Sequence, residues 1–352
     1  MLKGVITLLM LFVVSLGYAQ VDQNSMTAHY IYVGQADATL LEFPCGAILI
    51  DAGAEDDKHQ EKLIDYLRDF FKSRPDLGKT LDLVITTHPH IDHTYSLKAL
   101  TENFHIKRFM DNGGDRGSGV KQEQWLRDNV QKLNIAYKSY TAPQVFDNSL
   151  KNEIASFVDP LNCQMTDPVI QVLSGRYPTP PEGWSKSEFK NYNNHSYVIR
   201  IDFGEASFLF TGDLENQGIT TLLDHYQSDL SVIDADIFQV GHHGAANGTT
   251  AKFVSAISPE AAIISCGFWS DGMKDKSRFN TWNYGHPRKS SVDLLADGIT
   301  LDRRRAVSEK LGLAARSFEE ETITRNIYAT PWDYTIRVTG NKDGTFKIST
   351  HH

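Results

Sequence analysis

The sequence is short of cysteine, of long apolar runs and of basic charge, and each shortage closes off a class of protein. Three cysteines in 352 residues (Cys45, Cys163, Cys266) cannot build a disulfide framework, and their wide spacing matches no zinc knuckle. They are expected to be small buried hydrophobes with at most one bridge and at least one free thiol. With 35 basic against 44 acidic residues the formal charge is −9. That excludes a general nucleic-acid coat, because phosphate binding needs a basic face, although a local basic cleft stays open. No G-x-S-x-G elbow, Walker loop or Rossmann fingerprint occurs, so no serine nucleophile of that type and no nucleotide cradle is indicated. What is present is ordinary for a folded α/β chain: 41% hydrophobic and 22% charged residues.

The first nineteen residues read differently from the rest. Lys3 is followed by a mostly apolar run and then by small residues at Gly17 and Ala19, the pattern of a secretory signal with Gln20 as the first mature residue. The run is too short for a comfortable membrane span. No cysteine stands at the cleavage point to carry a lipid. The expectation is a signal peptide at 1–19 and one exported domain at 20–352, periplasmic or extracellular, with no membrane span after cleavage.

Apolar alternation predicts strands at 26–33, 38–43 and 47–50, then a helix at 58–72 with Leu63, Ile64, Leu67, Phe70 and Phe71 on one side. A compact apolar strand follows at 81–86. Further strands are expected at 196–203 and 206–211, joined by Gly204-Glu205, and at 235–240 and 261–266. Helices are expected at 122–133, 217–226, 250–257 and 290–297. Residues 140–190 read as an irregular surface excursion marked by Pro178, Pro180 and Pro181, and 268–285 as a second insertion. Arg303-Arg304-Arg305 falls in a polar stretch read as helix with a solvated face. The simplest architecture is two mixed sheets face to face with helices outside.

The strongest chemical signal is His88-Pro89-His90-Ile91-Asp92-His93, directly after an apolar strand. Imidazole nitrogen and carboxylate oxygen suit zinc, manganese or iron. At a strand end alternate side chains share a direction, so His88 and His90 can grip one ion. The turn that follows presents Asp92 and His93 to a second. Asp213 also follows an apolar strand; its carboxylate can bridge two cations or cap the next helix. His242 and His243, between Gly241 and Gly244, end another strand. His242 is the preferred ligand and His243 a neighbouring ligand, acid or substrate contact. Trp184, Trp269, Trp282 and Tyr284 are candidate rim aromatics. His29, His59, His105, His225, His351 and His352 lack partners in sequence and are expected in core or surface, the last two as a frayed tail.

In this order H-x-H-x-D-H, T-G-D and G-H-H-G resemble the metallo-β-lactamase superfamily. Within it the chain is similar to the branch containing the soluble domain of the DNA-uptake competence protein ComEC. That branch carries G-Q-G-D-A, here Gly34-Gln35-Ala36-Asp37-Ala38, and I-D-x-G, here Ile50-Asp51-Ala52-Gly53. It also carries N-x-N-S, here Asn193-Asn194-His195-Ser196, and Y-G-H-P, here Tyr284-Gly285-His286-Pro287. Ala36, Ala245 and His195 depart from the branch pattern. The resemblance implies an α/β fold of the four-layer αββα type and two divalent ions, zinc first, with manganese or iron as alternatives. The superfamily places a His ligand about one hairpin before the bridging Asp, and His195 stands where it can restore that ligand. Asp37 and Asp51 are expected to orient His ligands. His286 is expected as a substrate-facing group or proton donor.

The implied chemistry is hydrolysis by a water acidified between two cations, from a pKa of ~15.7 toward ~7. Asp92, His243 and His286 form the expected catalytic set, with Asp92 also a ligand. The resemblance implies a phosphodiester substrate. A small or surface phosphodiester, such as a phosphocholine ester, fits as well as DNA, and the net charge disfavours nucleic acid as a partner. The alternatives are a β-lactam or lactone hydrolase with the same site, and a metal-stabilised binding protein without turnover. Oligomeric state has no signal in the sequence.

Overall fold

The computed structural model describes residues 21–273 and 279–351. The expected signal at 1–19, the middle of the 268–285 insertion and His352 lie outside the described residues.

The chain enters as an antiparallel meander, β1 (Ser25–Tyr30), β2 (Thr39–Phe43) and β3 (Gly46–Ile50). Two short strands, β4 (Thr80–Leu81) and β6 (His105–Ile106), pair with each other. Strands β5 (Leu83–Ile85), β7 (Arg108–Asp111) and β8 (Ala136–Ser139) extend the meander in parallel. The second sheet gathers β9 (Val169–Ser174), β10 (Val198–Phe203), β11 (Ala206–Phe210), β12 (Ile237–Gln239), β13 (Ala261–Ile264) and β16 (Ile327–Ala329). Between its last two strands lies a two-stranded ribbon, β14 (Asp302–Ala314) and β15 (Ser317–Arg325). Strands β17 (Thr335–Asn341) and β18 (Phe346–His351) return to the first sheet, whose order is β18-β17-β1-β2-β3-β5-β7-β8. The second sheet runs β16-β13-β12-β11-β10-β9, parallel from β16 to β11 and antiparallel beyond.

The pleat explains the layering. Strands β3 and β5 are buried at every residue and read as nearly unbroken apolar runs, as strands covered on both faces do. Ile48, Ile50, Leu83 and Ile85 point between the sheets and meet Phe208, Phe210, Ile237 and Ile263. Their neighbours Ala47, Leu49 and Val84 point outward onto Leu63, Leu67 and Phe71 of the helix Asp57–Ser73. On the second sheet Leu209, Phe238 and Ala262 face Leu222, Phe253 and Val254 of two other helices. Three apolar seams separate four layers, αββα. Each Leu, Ile or Phe fully buried in them contributes about 1.5–3 kcal/mol. The helix Asp57–Ser73 starts where Asp56 accepts the His59 N–H and stops one residue before Pro75, which disfavours helix at Arg74.

Two regions differ from expectation. The 140–190 stretch contains helices Ala142–Val145 and Lys151–Val158, and β9 within it is an edge strand of the second sheet. Residues 303–305 are strand, not helix. Arg303 turns inward to a 2.7 Å pair with buried Asp333, and the run of arginines hides the alternation of β14. The cysteines follow expectation: Cys45 and Cys163 form one disulfide, tying the β2–β3 turn to the 140–190 stretch, and Cys266 is free and buried. No helix among the described residues is long and apolar enough to cross a membrane.

The parallel strands set up the site. Their carboxyl ends lie on one rim, where loops of open α/β sheets converge. Asp51 follows β3, His88 follows β5, Asp213 follows β11 and the His242-His243 pair follows β12.

Candidate metal centre

Two groups of ligand atoms meet at this rim and share Asp213: His88, His90 and Asp213 in one, and Asp92, His93, Asp213 and His243 in the other. In the first, His88 Nε2 is 3.0 Å from His90 Nδ1 and 3.7 Å from Asp213 Oδ2. In the second, Asp213 Oδ1 is 3.1 Å from His93 Nε2 and 3.6 Å from His243 Nε2, which is 3.2 Å from Asp92 Oδ2. Tetrahedral bonds of about 2.0–2.1 Å put neighbouring donors about 3.3 Å apart, so these spacings are edges of a coordination shell. His93 Nε2 and Asp213 Oδ1 are buried, and beyond their mutual 3.1 Å approach neither has a hydrogen-bond partner. Orphaned donors converging in a dry site fit a cation, and the nitrogen–oxygen set suits zinc, manganese or iron.

The ring orientations are fixed from behind. Asp51 Oδ2 accepts the Nδ1–H of His93 at 2.7 Å, so it is Nε2 that faces the other ligand atoms. Thr87 Oγ1 donates to the same carboxylate at 2.9 Å and lies 3.2 Å from His88 Nδ1, so it can only accept there. One carboxylate thereby sets a histidine in each group. His243 Nδ1 donates to Ser265 O at 2.8 Å, again freeing Nε2. Two glycines make the close approach possible. A Cβ on Gly53 would stand 1.6 Å from Asp92 O, and one on Gly212, at φ +50°, 2.7 Å from Thr87 Oγ1. These clashes give the I-D-x-G and T-G-D motifs their physical meaning.

Electrostatics divides the two groups. Burial alone would raise the Asp213 carboxyl, but the charges of His93, His243 and His242 outweigh it and hold it well below the usual range. Burial likewise opposes charge on His93, yet Asp213 and Asp51 raise it well above its ordinary value. His243 is pushed up to about 9, with Asp213 and Asp92 overcoming burial. Burial, together with the other imidazoles, lowers both His88 and His90. Burial pushes Asp37 up to about 6.

The structure redistributes several predicted roles. His243, 3% exposed, enters the second group, whereas His242 stands beside it. His242 Nδ1 meets Asn247 Oδ1 at 3.0 Å, and its Nε2 lies 3.8 Å from Asp213 Oδ2. Both residues take positive φ, 52° and 53°; the turn buries the second ring in the group and leaves the first at the edge of the cleft. His195 is not brought to the cluster. Its Nδ1 accepts Tyr177 N–H at 3.1 Å and its Nε2 donates to Phe189 O at 2.8 Å, so both nitrogens serve backbone inside an aromatic cage. Asp51 touches the ligands as expected; Asp37 instead accepts from Gln239 Nε2.

A cleft of about 380 Å³ opens over the centre, bordered by Asp92, Asn193, His243, Tyr284 and His286 among others. Trp184 is buried behind His195, away from this rim; Trp269 and Trp282 pack against Phe318 of the ribbon. The quoted motifs gave no sign that Gln35 reaches His286 or that Thr87 relays Asp51 to His88. Both contacts join distant or differently facing segments and leave no periodic trace.

Comparison with known proteins agrees with this geometry. ComE operon protein 3 of Bacillus subtilis is 26% identical over 276 residues, 75% of this chain and 30% of that protein. Recombination protein 2 of Haemophilus influenzae is 38% identical over 96 residues, 27% of this chain and 10% of the relative. Competence protein ComA of Neisseria gonorrhoeae is 37% identical over 84 residues, 23% of this chain and 12% of the relative. The chain thus spans 30% or less of the length of these curated relatives. Among solved structures, the metallo-beta-lactamase fold protein YhfI of Bacillus subtilis aligns over 68% of this chain and 85% of its own, at 14% identity and a TM-score of 0.41. Residues 31–267, from the end of the first strand through the loop after β13, match the metallo-beta-lactamase superfamily, and the chain belongs to that superfamily.

Proposed function

We propose that the chain is an exported hydrolase of small phosphodiesters, built as one domain after its signal. The observation that carries this reading is Asp213, whose two oxygens face two different donor groups. Two divalent ions in those groups supply Lewis acidity and an acidified water at neutral pH. The chain's own residues do the rest. Asp51 and Thr87 hold the ring nitrogens of His93 and His88 in register, and Ser265 O does so for His243. Asn193 and Ser118 give the cleft polar edges where a non-bridging oxygen can be held, and Tyr284 with Phe279 limits access of bulk water.

Substrate size follows from the surroundings. A neighbouring cleft of about 460 Å³ shares Ile91 and Phe279 with the first and is bordered by Glu55, Asp56 and Asp57 against one Lys58. Three carboxylates beside the mouth disfavour an extended polyanion. The all-nitrogen-and-oxygen donor set with a bridging carboxylate suits phosphoesters. The Cys45–Cys163 disulfide supports an oxidising compartment.

The test is turnover by the purified chain loaded with zinc or manganese. Bis(p-nitrophenyl) phosphate should be hydrolysed, nitrocefin should not, and single-stranded DNA should be cut slowly or not at all. Nitrocefin turnover alone would assign the lactam or lactone reading. Stoichiometric metal without turnover of any ester would assign a binding protein.

A further inference from the structure

Gln35 and His286, 251 positions apart, meet on one wall of the cleft. Gln35 is 1% exposed and both ends of its amide are used. Its Oε1 accepts the Thr281 hydroxyl at 2.8 Å, and its Nε2 lies 3.0 Å from His286 Nδ1. An amide whose oxygen takes the hydroxyl turns its N–H toward the ring, and a ring nitrogen that accepts an N–H carries no proton. The proton of the neutral imidazole then sits on Nε2. With Nδ1 engaged, Nε2 is the nitrogen left for the cleft that His286 shares with Asp92 and Asp213.

The surroundings hold this arrangement. Gln35 N–H donates to Glu55 Oε2 at 2.9 Å. Gly267 leaves room for the pair, since a Cβ there would stand 2.6 Å from Thr281 Oγ1 and 3.0 Å from Gln35 N. The His286 ring lies against Tyr284, centroids 5.6 Å apart and 19° from parallel.

We propose that Gln35 is a positioning residue that locks His286 in the Nε2–H tautomer, so that His286 is a fixed hydrogen-bond donor to a substrate oxygen and not the acid that protonates the leaving group. The tautomer stands on geometry alone; the donor role rests on the hydrolase reading above. A donor aimed in advance at developing charge needs no reorganisation as the reaction proceeds.

The experiment is long-range proton–nitrogen NMR of the full chain labelled with ¹⁵N-histidine, at pH 7, without metal and with zinc. Wild type should show His286 protonated at Nε2 and bare at Nδ1. Gln35→Glu, whose carboxylate can only accept from the ring, should move the proton to Nδ1, and Gln35→Met should give a mixture. A wild-type Nδ1–H or doubly protonated ring overturns the proposal, as does an unchanged tautomer in Gln35→Glu. If Gln35→Glu does not fold, Thr281→Val decides by the same spectrum: a mixed tautomer supports the lock and an unchanged one overturns it. In turnover, Gln35→Glu, which leaves no Nε2–H, should lose about 10²-fold or more in kcat with little change in KM, the loss seen on removing an oxyanion donor, and Gln35→Met, with its mixed tautomer, should lose much less. Correct tautomers with no phosphodiesterase activity in wild type would leave the lock standing and sink the hydrolase reading instead.

Discussion

His93 Nε2 and Asp213 Oδ1 face each other at 3.1 Å in the buried rim, and neither atom has a further hydrogen-bond partner. Both atoms are placed to bind one cation at this rim, and the consequences for pH, affinity and stability can be measured.

Metal uptake should release protons from one group and not the other. His93 and His243 are held above their ordinary values, His243 near 9, so both carry protons at pH 7 in the metal-free protein. A ligating imidazole must be neutral, so loading the Asp92–His93–Asp213–His243 group expels two protons. Its apparent affinity should rise with pH up to about pH 9, where His243 gives up its proton. His88 and His90 are held low and load without release. Zinc titration calorimetry at pH 7 in buffers of different ionisation heat should show two events, with near two and near zero protons released. Equal release from both contradicts the division.

Asp51→Asn should weaken both groups, because its carboxylate holds His93 directly and His88 through Thr87. Losing such support costs about 10–100-fold in metal affinity. Competition with a chromophoric chelator measures it. A loss confined to one of the two ions would show that the Thr87 relay carries nothing.

His195→Ala should cost stability and leave metal content unchanged. The substitution strands the Tyr177 N–H and the Phe189 carbonyl in an aromatic cage, at about 1–3 kcal/mol per unsatisfied group. Thermal melting with elemental analysis separates the outcomes. A halved metal content at unchanged stability would make His195 a ligand after all.

His195 shows where sequence reasoning runs out. Its distance from Asp213 along the chain suits a ligand, but Tyr177, Trp184 and Phe189, from the stretch expected to be irregular, close around it and take both nitrogens. By contrast His88, His90, Asp92 and His93 were legible because consecutive residues on one strand end are placed by local geometry alone. The fold was legible locally too, in the helix Asp57–Ser73, whose buried side follows helical periodicity, and in β3 and β5, which are short unbroken apolar runs. The choice between His242 and His243 was not. It depends on two positive-φ residues in succession, a backbone turn that neither side chain announces. Arg303 failed differently: a charge that pairs inside the protein with Asp333, thirty residues on, looks in sequence like one that faces water.

The central claim is a paired-cation centre bridged by Asp213, and metal content tests it most directly. Purified chain, loaded with zinc and dialysed against metal-free buffer, should retain two ions per chain, and folded Asp213→Ala at most one. Retention of less than one ion by wild type, or of two by Asp213→Ala, would contradict the account.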